Sequence, residues 1–380
     1  MDRHRRNFGL TVGAIAATLL VAPRRAQSNA PVTARAGSGA PKALREAAPL
    51  RAPFSLIKPR VLRRGDLVGL IAPSGVVDDA LIQRGVKNLE SLGLVVKTGK
   101  NIRATNGKYA GSIAERLEDF HDMFLDREVN AVWTATGGSG GNLLLPHINY
   151  GLVRANPKIF VGYSDITAFH LALNRKAGLV TFHGPVASSI HTDYNVSQMM
   201  AVLMSPRRQT EINMSIENAR KSIEDPDYAL RTIRHGVAEG RLIGGNLSLI
   251  NALIGTPYAA QIRNSLLFIE DINEAPYRMD RMLTQLQQSV GGLGRHDGLR
   301  HAAGIMVGVC RKIKQADGDN SPTQSLAEFL DHQLAGLPIP SVYGYSFGHI
   351  ANQFTLPMGI RARLNTEAQT LTLLEPAVLG

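Results

Sequence analysis

With a single cysteine in 380 residues, the chain can hold neither an intramolecular disulfide framework nor a paired-thiol metal site. That residue, Cys310, follows the apolar run 304–309, so a buried, inert thiol is expected and a nucleophilic thiol is the weaker alternative. There is no His-Glu-x-x-His helix. The glycine run 137–141 lacks dinucleotide spacing, and five residues, not the four of a phosphate loop, separate Gly93 from Gly99-Lys100. The main cofactor signatures are thus absent, which narrows the field. The longest apolar stretch near the start, residues 9–22, falls short of the roughly 20 residues that a spanning helix requires. Acidic residues are scarce at the front, where residues 1–60 carry eleven Lys+Arg against two Asp+Glu. The remaining 320 residues hold 31 basic and 29 acidic side chains, so the formal charge of +11 is not a folded basic face and nucleic acid is not an expected partner.

What is present begins with Arg3, Arg5 and Arg6 ahead of that short apolar stretch. Arg5-Arg6-Asn7-Phe8 resembles a twin-arginine export signal, with Ser28-Asn29-Ala30 offering a cleavage site and Ala26 and Ala36 as rivals. An uncleaved anchor or an ordinary secretory signal is the alternative. The expectation is a periplasmic or cell-envelope protein that meets the export machinery transiently; cell fractionation after replacing both arginines by lysine decides it. Residues 31–59, rich in Ala, Pro, Arg, Gly and Ser, read as a flexible tether.

From residue 60 the pattern is that of a folded α/β protein, and 44% hydrophobic against 19% charged residues agrees. The buried-strand run 67–72, a helical stretch over 80–92 and a strand from Val95 open it. Ser112 and Glu115 have capping-box spacing before a helix with Ile113, Leu117, Phe120 and Phe124 on one face. Strands 131–136 and 159–162 follow. Alternation of strand and helix predicts a parallel, doubly wound sheet in an N-terminal domain over 60–205, with sites at the carboxyl ends of strands. Residues 206–236 read as a connection. Residues 237–380 read as a smaller mixed α/β or barrel-like domain and not as a second parallel sheet.

Chemistry concentrates at strand ends. Ser164, between Gly162-Tyr163 and Asp165, occupies a sharp strand-to-helix junction, where it is either an exposed nucleophile beside free helix N–H groups or simply a cap. Ile166 replaces the second glycine of the Gly-x-Ser-x-Gly elbow. His349 follows an extended run and Glu270 ends an apolar strand; alone, a loop histidine is usually polar surface and a strand-end carboxylate usually caps or pairs.

Six motifs in one order decide between these readings: Gly-Asp-Leu-Val-Gly-Leu-Ile-Ala-Pro-Ser (65–74), Gly-Tyr-Ser-Asp-Ile-Thr (162–167), Phe-His-Gly-Pro (182–185), Gly-Gly-Asn-Leu (244–247), Ile-Glu-Asp-Ile-Asn-Glu (269–274) and Gly-His (348–349). Over residues 60–380 the chain resembles the LD-carboxypeptidases, serine peptidase family S66, also called muramoyltetrapeptide carboxypeptidases. The resemblance implies Ser164 as nucleophile, His349 as base and Glu270 as triad acid. It also implies a Rossmann-like N-terminal domain, an interdomain site, commonly a homodimer, no metal, and peptidoglycan stem peptides as substrate. The backbone of Asp165 and of Gly138 or Ser139 is then expected to hold the oxyanion. Asn246 and His183 are candidate substrate-binding residues, or else a packing amide and a turn residue.

Two departures stand out. Thr136-Gly137-Gly138-Ser139-Gly140 replaces the family's common Arg-Gly-Gly-Tyr-Gly, and Ile350 is bulky for the position after the base. The same scaffold serves the microcin-immunity branch, which cleaves acylated nucleotide antibiotics, and could serve a non-catalytic cell-wall binder; the export signal argues against the first and the retained triad against the second.

Overall fold

A computed structural model describes residues 55–380 except 190–191, 292–294, 297 and 316–320. The export signal and residues 31–54 of the tether lie outside the described residues.

Short β-branched runs build the first sheet: β1 (Leu67–Ile71), β2 (Val95–Thr98), β3 (Val129–Thr134), β4 (Ile159–Gly162) and β5 (Phe182–His183). They lie in the order β2-β1-β3-β4-β5, all parallel, with β4 wholly buried, as expected of a sheet covered on both faces. Helix Ile113–Leu125 between β2 and β3 starts at the expected capping box, in which Ser112 Oγ accepts from the Glu115 N–H and the Glu115 carboxylate accepts from the Ser112 N–H. It buries Phe120 and Phe124 against Phe160, while Ile113 stays exposed. The apolar stripe therefore starts one turn later than its sequence suggests.

The remaining strands are β6 (Thr210–Ile212), β7 (Arg231–Arg234), β8 (Val237–Asn246), β9 (Ser265–Glu270), β10 (Val290–Gly291), β11 (Arg295–His296), β12 (Gly304–Val309), β13 (Ser341–Gly348), β14 (Leu356–Pro357), β15 (Arg361–Asn365) and β16 (Thr370–Leu373). Among the described residues, strands β10 and β11 pair only with each other. Eight others form an open mixed sheet, β6-β16-β15-β8-β9-β12-β13-β7, and not a barrel. Its four central strands, β8, β9, β12 and β13, are parallel, contrary to the expectation that this half lacks a parallel sheet. The helices Pro276–Gln288 and Leu326–Leu334 supply the crossovers that parallel neighbours need.

Two boundaries also move. Residues 206–236 supply both edge strands, β6 and β7. The last residues of the supposed tether are pinned by backbone bonds: Ile57 N–H donates to Gly178 O (2.7 Å), Val180 N–H to Ile57 O (2.9 Å) and Leu379 N–H to Pro59 O (2.8 Å). Irregular composition hid them because long-range bridges, not local periodicity, satisfy this backbone.

Both sheets belong to one compact unit, residues 51–380. Strand β14 leaves the second lobe to pair antiparallel with β5 of the first. The Gly244-Gly245-Asn246 end of β8 presses on Thr167, at the start of the helix after Ser164. A Cβ on Gly245 would lie 2.4 Å from Thr167 Oγ1, and the Asn246 N–H donates to that oxygen at 2.9 Å. Carboxyl ends of β4, β9 and β13 thus meet in one place.

Candidate active site

Ser164 sits immediately beyond β4 with φ +66°, a left-handed conformation that costs a non-glycine residue about 1–2 kcal/mol. Such strain persists only where its surroundings fix it, and here it turns the hydroxyl out of the helix path. Tyr163, not Ser164, occupies the N-cap, without a side-chain bond. Oγ instead lies 3.0 Å from His349 Nε2, and His349 Nδ1 lies 2.7 Å from Glu270 Oε2. A residue just after β4, one at the end of β9 and one just after β13, up to 185 positions apart, thus form a continuous chain. With Nδ1–H donating to the carboxylate, Nε2 is left to accept the serine proton.

Glu270 is fully buried, and its Oε1 has no partner among the described residues. Gly348 lets the base approach, since a Cβ there would come within 2.7 Å of Val309 O and 3.3 Å of Glu270 Cβ. The Tyr163 ring meets the His349 ring edge-on at 4.9 Å. Ile350 packs with Tyr228 and Val309, seating the loop just after the base.

Burial of His349 opposes its charge, yet the Glu270 charge and hydrogen bond outweigh burial and hold its pKa above the ordinary 6.5. Because the base must be neutral to take a proton, kcat/KM is expected to fall as pH drops through that raised value. Stability runs the other way: the His349–Glu270 ion pair contributes fully below 6.5 and is lost as pH rises through the folded-state pKa. A pH–rate profile paired with a pH–melting profile checks both signs; an acidic limb below 6.5 contradicts the coupling.

Next to Glu270, burial and then the Glu270 charge push Asp271 up to about 6. Its carboxylate accepts from Asn246 Nδ2 (3.0 Å), Ser248 N (2.9 Å), Ser248 Oγ (2.8 Å) and Ile272 N (2.8 Å). Asn246, 4% exposed, also caps the following helix through Leu249 N. Its side chain thus packs against Asp271 and caps the helix. His183 is fully buried, its ring nitrogens lack partners among the described residues, and its ring packs against Tyr163, Phe268 and Phe347. Burial holds its pKa well below 6.5, which favours the neutral ring.

The glycine-rich loop lies beside the serine. A Cβ on Gly137 would come 2.9 Å from Ser164 Cβ and 3.2 Å from Oγ, and the Gly75 N–H donates to Gly137 O at 3.0 Å. Gly138 and Ser139 are exposed at its tip. The Asp165 side chain is buried and accepts from Gly141 N at 2.7 Å, while its N–H lies in the first turn, where no intrahelical acceptor exists. Serine, base, acid and two sources of free N–H groups are the parts of acyl transfer.

One buried residue here escaped the sequence reading. Arg116 is 2% exposed and donates from Nη1 to Pro73 O and Gly140 O, both at 3.1 Å. Its signal was a cation four residues before Phe120 on the apolar face of a helix.

Known proteins of similar sequence and fold point to one family. The LD-carboxypeptidase N-terminal domain matches residues 68–184 and the C-terminal domain matches 239–364. The chain is 38% identical over 321 residues to the probable murein peptide carboxypeptidase of Bacillus subtilis, covering 84% of this chain and 95% of that protein. Its fold is similar to that of an MccF-like protein from Bacillus anthracis, with TM-score 0.71, 30% identity, and 83% and 99% of the two chains covered. Muramoyltetrapeptide carboxypeptidase from Oxalobacter formigenes follows with TM-score 0.66, 28% identity, and 81% and 97% covered. The chain therefore belongs to the LD-carboxypeptidase family, S66, and is a serine-type carboxypeptidase.

Proposed function

We propose that this carboxypeptidase releases the terminal D-alanine of murein tetrapeptide with Ser164 as nucleophile, His349 as general base and Glu270 as the acid that orients it. The observation carrying the proposal is the unbroken chain from Ser164 Oγ to His349 Nε2 at 3.0 Å and from His349 Nδ1 to Glu270 at 2.7 Å. As Oγ bonds to the carbonyl carbon before the D-residue, His349 takes the hydroxyl proton. The oxyanion falls to the N–H of Asp165 and of Gly138 or Ser139. Collapse breaks the C–N bond, the imidazolium returns its proton to the departing amine, and water then repeats the sequence on the acyl-enzyme. A free carboxylate beside the scissile bond suits backbone donors of loop 137–141 and needs no basic patch. An extended chain would carry no charge there, which favours carboxypeptidase over endopeptidase action.

Purified tetrapeptide is expected to give tripeptide and free D-alanine, read by mass spectrometry, and the pentapeptide ending D-Ala-D-Ala to be a poor substrate. Preferential cleavage of the D,D bond would sink the assignment. Faster cleavage of an acylated nucleotide than of tetrapeptide would favour the immunity-type reading.

A further inference from the structure

The peptide unit joining Gly140 to Gly141 is held at both ends by buried groups of opposite charge. Its carbonyl accepts from Arg116 Nη1 at 3.1 Å, and its N–H donates to Asp165 Oδ2 at 2.7 Å. Arg116 is itself fixed from three sides: Nη1 also donates to Pro73 O at the end of β1, Nε to Ser112 O at 3.4 Å, and the guanidinium lies 5.1 Å from the Tyr109 ring centre. Asp165 directly follows Ser164. Nothing larger than glycine fits: a Cβ on Gly140 would come 2.5 Å from the Tyr109 ring, and one on Gly141 would come 2.7 Å from Asp165 Oδ2. Both side chains are nearly inaccessible, Arg116 at 2% and Asp165 at 4%.

We propose that Arg116 and the Asp165 carboxylate are positioning residues that clamp this peptide unit, and through it aim the exposed N–H groups of the glycine-rich loop at the oxyanion. Burying an arginine and a carboxylate that share no direct ion pair is costly unless each is hydrogen-bonded, and here their shared partner is one peptide plane. The opposite end of the loop is fixed by the Gly75 N–H on Gly137 O and by the contact of Gly137 with Ser164. Between these anchors only Gly138 and Ser139 are exposed, and glycines at φ +116° and +93° flank Ser139, so the backbone has no stiffness of its own to set its aim. The clamp supplies that aim. Because it is tied to the residue after Ser164, the donors and the serine keep a common frame.

This inference rests on the proposed acyl-transfer role of Ser164, and the test separates the two. Arg116→Met, Arg116→Lys, Asp165→Asn and the double variant Arg116→Met/Asp165→Asn are assayed on tetrapeptide for kcat and KM separately, with melting curves and pH–rate profiles. Misaimed oxyanion donors cost roughly 30- to 100-fold in turnover. Folded Arg116→Met is therefore expected to lose about that much kcat with KM within about 3-fold and the acidic limb unmoved. Arg116→Lys, which keeps the charge, should recover part of it. The double variant should be little worse than Arg116→Met, since both side chains hold one peptide unit. Near-parental kcat in folded Arg116→Met, additive losses, or a displaced acidic limb each overturn the clamp. Should Arg116→Met not fold, Arg116→Lys, Asp165→Asn and their double variant decide by the same criteria. If the parent does not cleave tetrapeptide, the functional reading fails; the clamp is then decided by the rate at which a fluorophosphonate, whose P=O needs the same donors, labels Ser164 in parent and variants.

Discussion

Ser164→Ala and His349→Ala are each expected to lower kcat on tetrapeptide by about 10⁴ to 10⁶ while leaving the protein folded. The two side chains form one proton path, so the double variant should be little slower than either single. Additive losses would show that the residues do not act together. Glu270→Ala should be severe but smaller in effect, since the base survives without its orienting partner. The acid differs from the other two in burial. Glu270 is wholly enclosed while His349 keeps 15% of its side chain exposed, so removing the carboxylate also leaves His349 Nδ1 without its acceptor. A melting curve beside each kinetic measurement separates lost chemistry from lost fold. Ser164→Ala carries a further sign: alanine in the left-handed region keeps the strain of φ +66° and loses only the bond to His349. Substituting glycine instead should relieve strain and raise the melting temperature over that of the alanine variant.

How far these parts were legible depends on whether their cause is local. The run 159–162 followed by Gly-Tyr-Ser-Asp is a strand-to-helix junction in the sequence and in the structure, because apolar β-branched burial and helix initiation are both decided within a few residues. The capping box at Ser112 is local in the same sense. The positive φ of Ser164 is not. Nothing in Tyr-Ser-Asp demands it, and it is imposed by Gly137 and His349 from other segments. Long-range packing also decides the surroundings of polar residues. His183 sits in a turn-like Phe-His-Gly-Pro, and Phe268 and Phe347 of the second lobe close over it. The space that Gly244 and Gly245 leave is filled by Thr167 and the Phe268 backbone. Strand direction in the second sheet was illegible for a similar reason: short runs show a period, but which neighbour they join is decided by crossover helices tens of residues away.

The sharpest test of the glycine-rich loop is the addition of one methyl group. Gly137 has an ordinary φ, so alanine is free of backbone strain there, and the added Cβ has only its neighbours to contend with. Those neighbours are Ser164 Cβ at 2.9 Å, Ser164 Oγ at 3.2 Å and Tyr163 O at 3.4 Å. Neither the serine Cβ nor the strand-end backbone is the far end of a flexible side chain, so the junction itself must give way by several tenths of an ångström. Ser164 already sits in a strained conformation with its hydroxyl held 3.0 Å from His349, and a shift of that size lengthens the bond on which proton transfer depends. Gly137→Ala is therefore expected to lower kcat by at least about 100-fold and, because the junction must shift, to lower the melting temperature as well. Gly138→Ala adds backbone strain: its Cβ would meet the Gly75 backbone at 2.6 and 2.8 Å and the residue holds φ +116°, so its stability should fall further. Gly336→Ala, where a Cβ meets nothing within 4 Å, serves as the control and should match the parent in both. Near-parental turnover in Gly137→Ala would mean that the loop is not pressed against the serine during catalysis, and the oxyanion donors would then have to be sought on the helix after Ser164 alone.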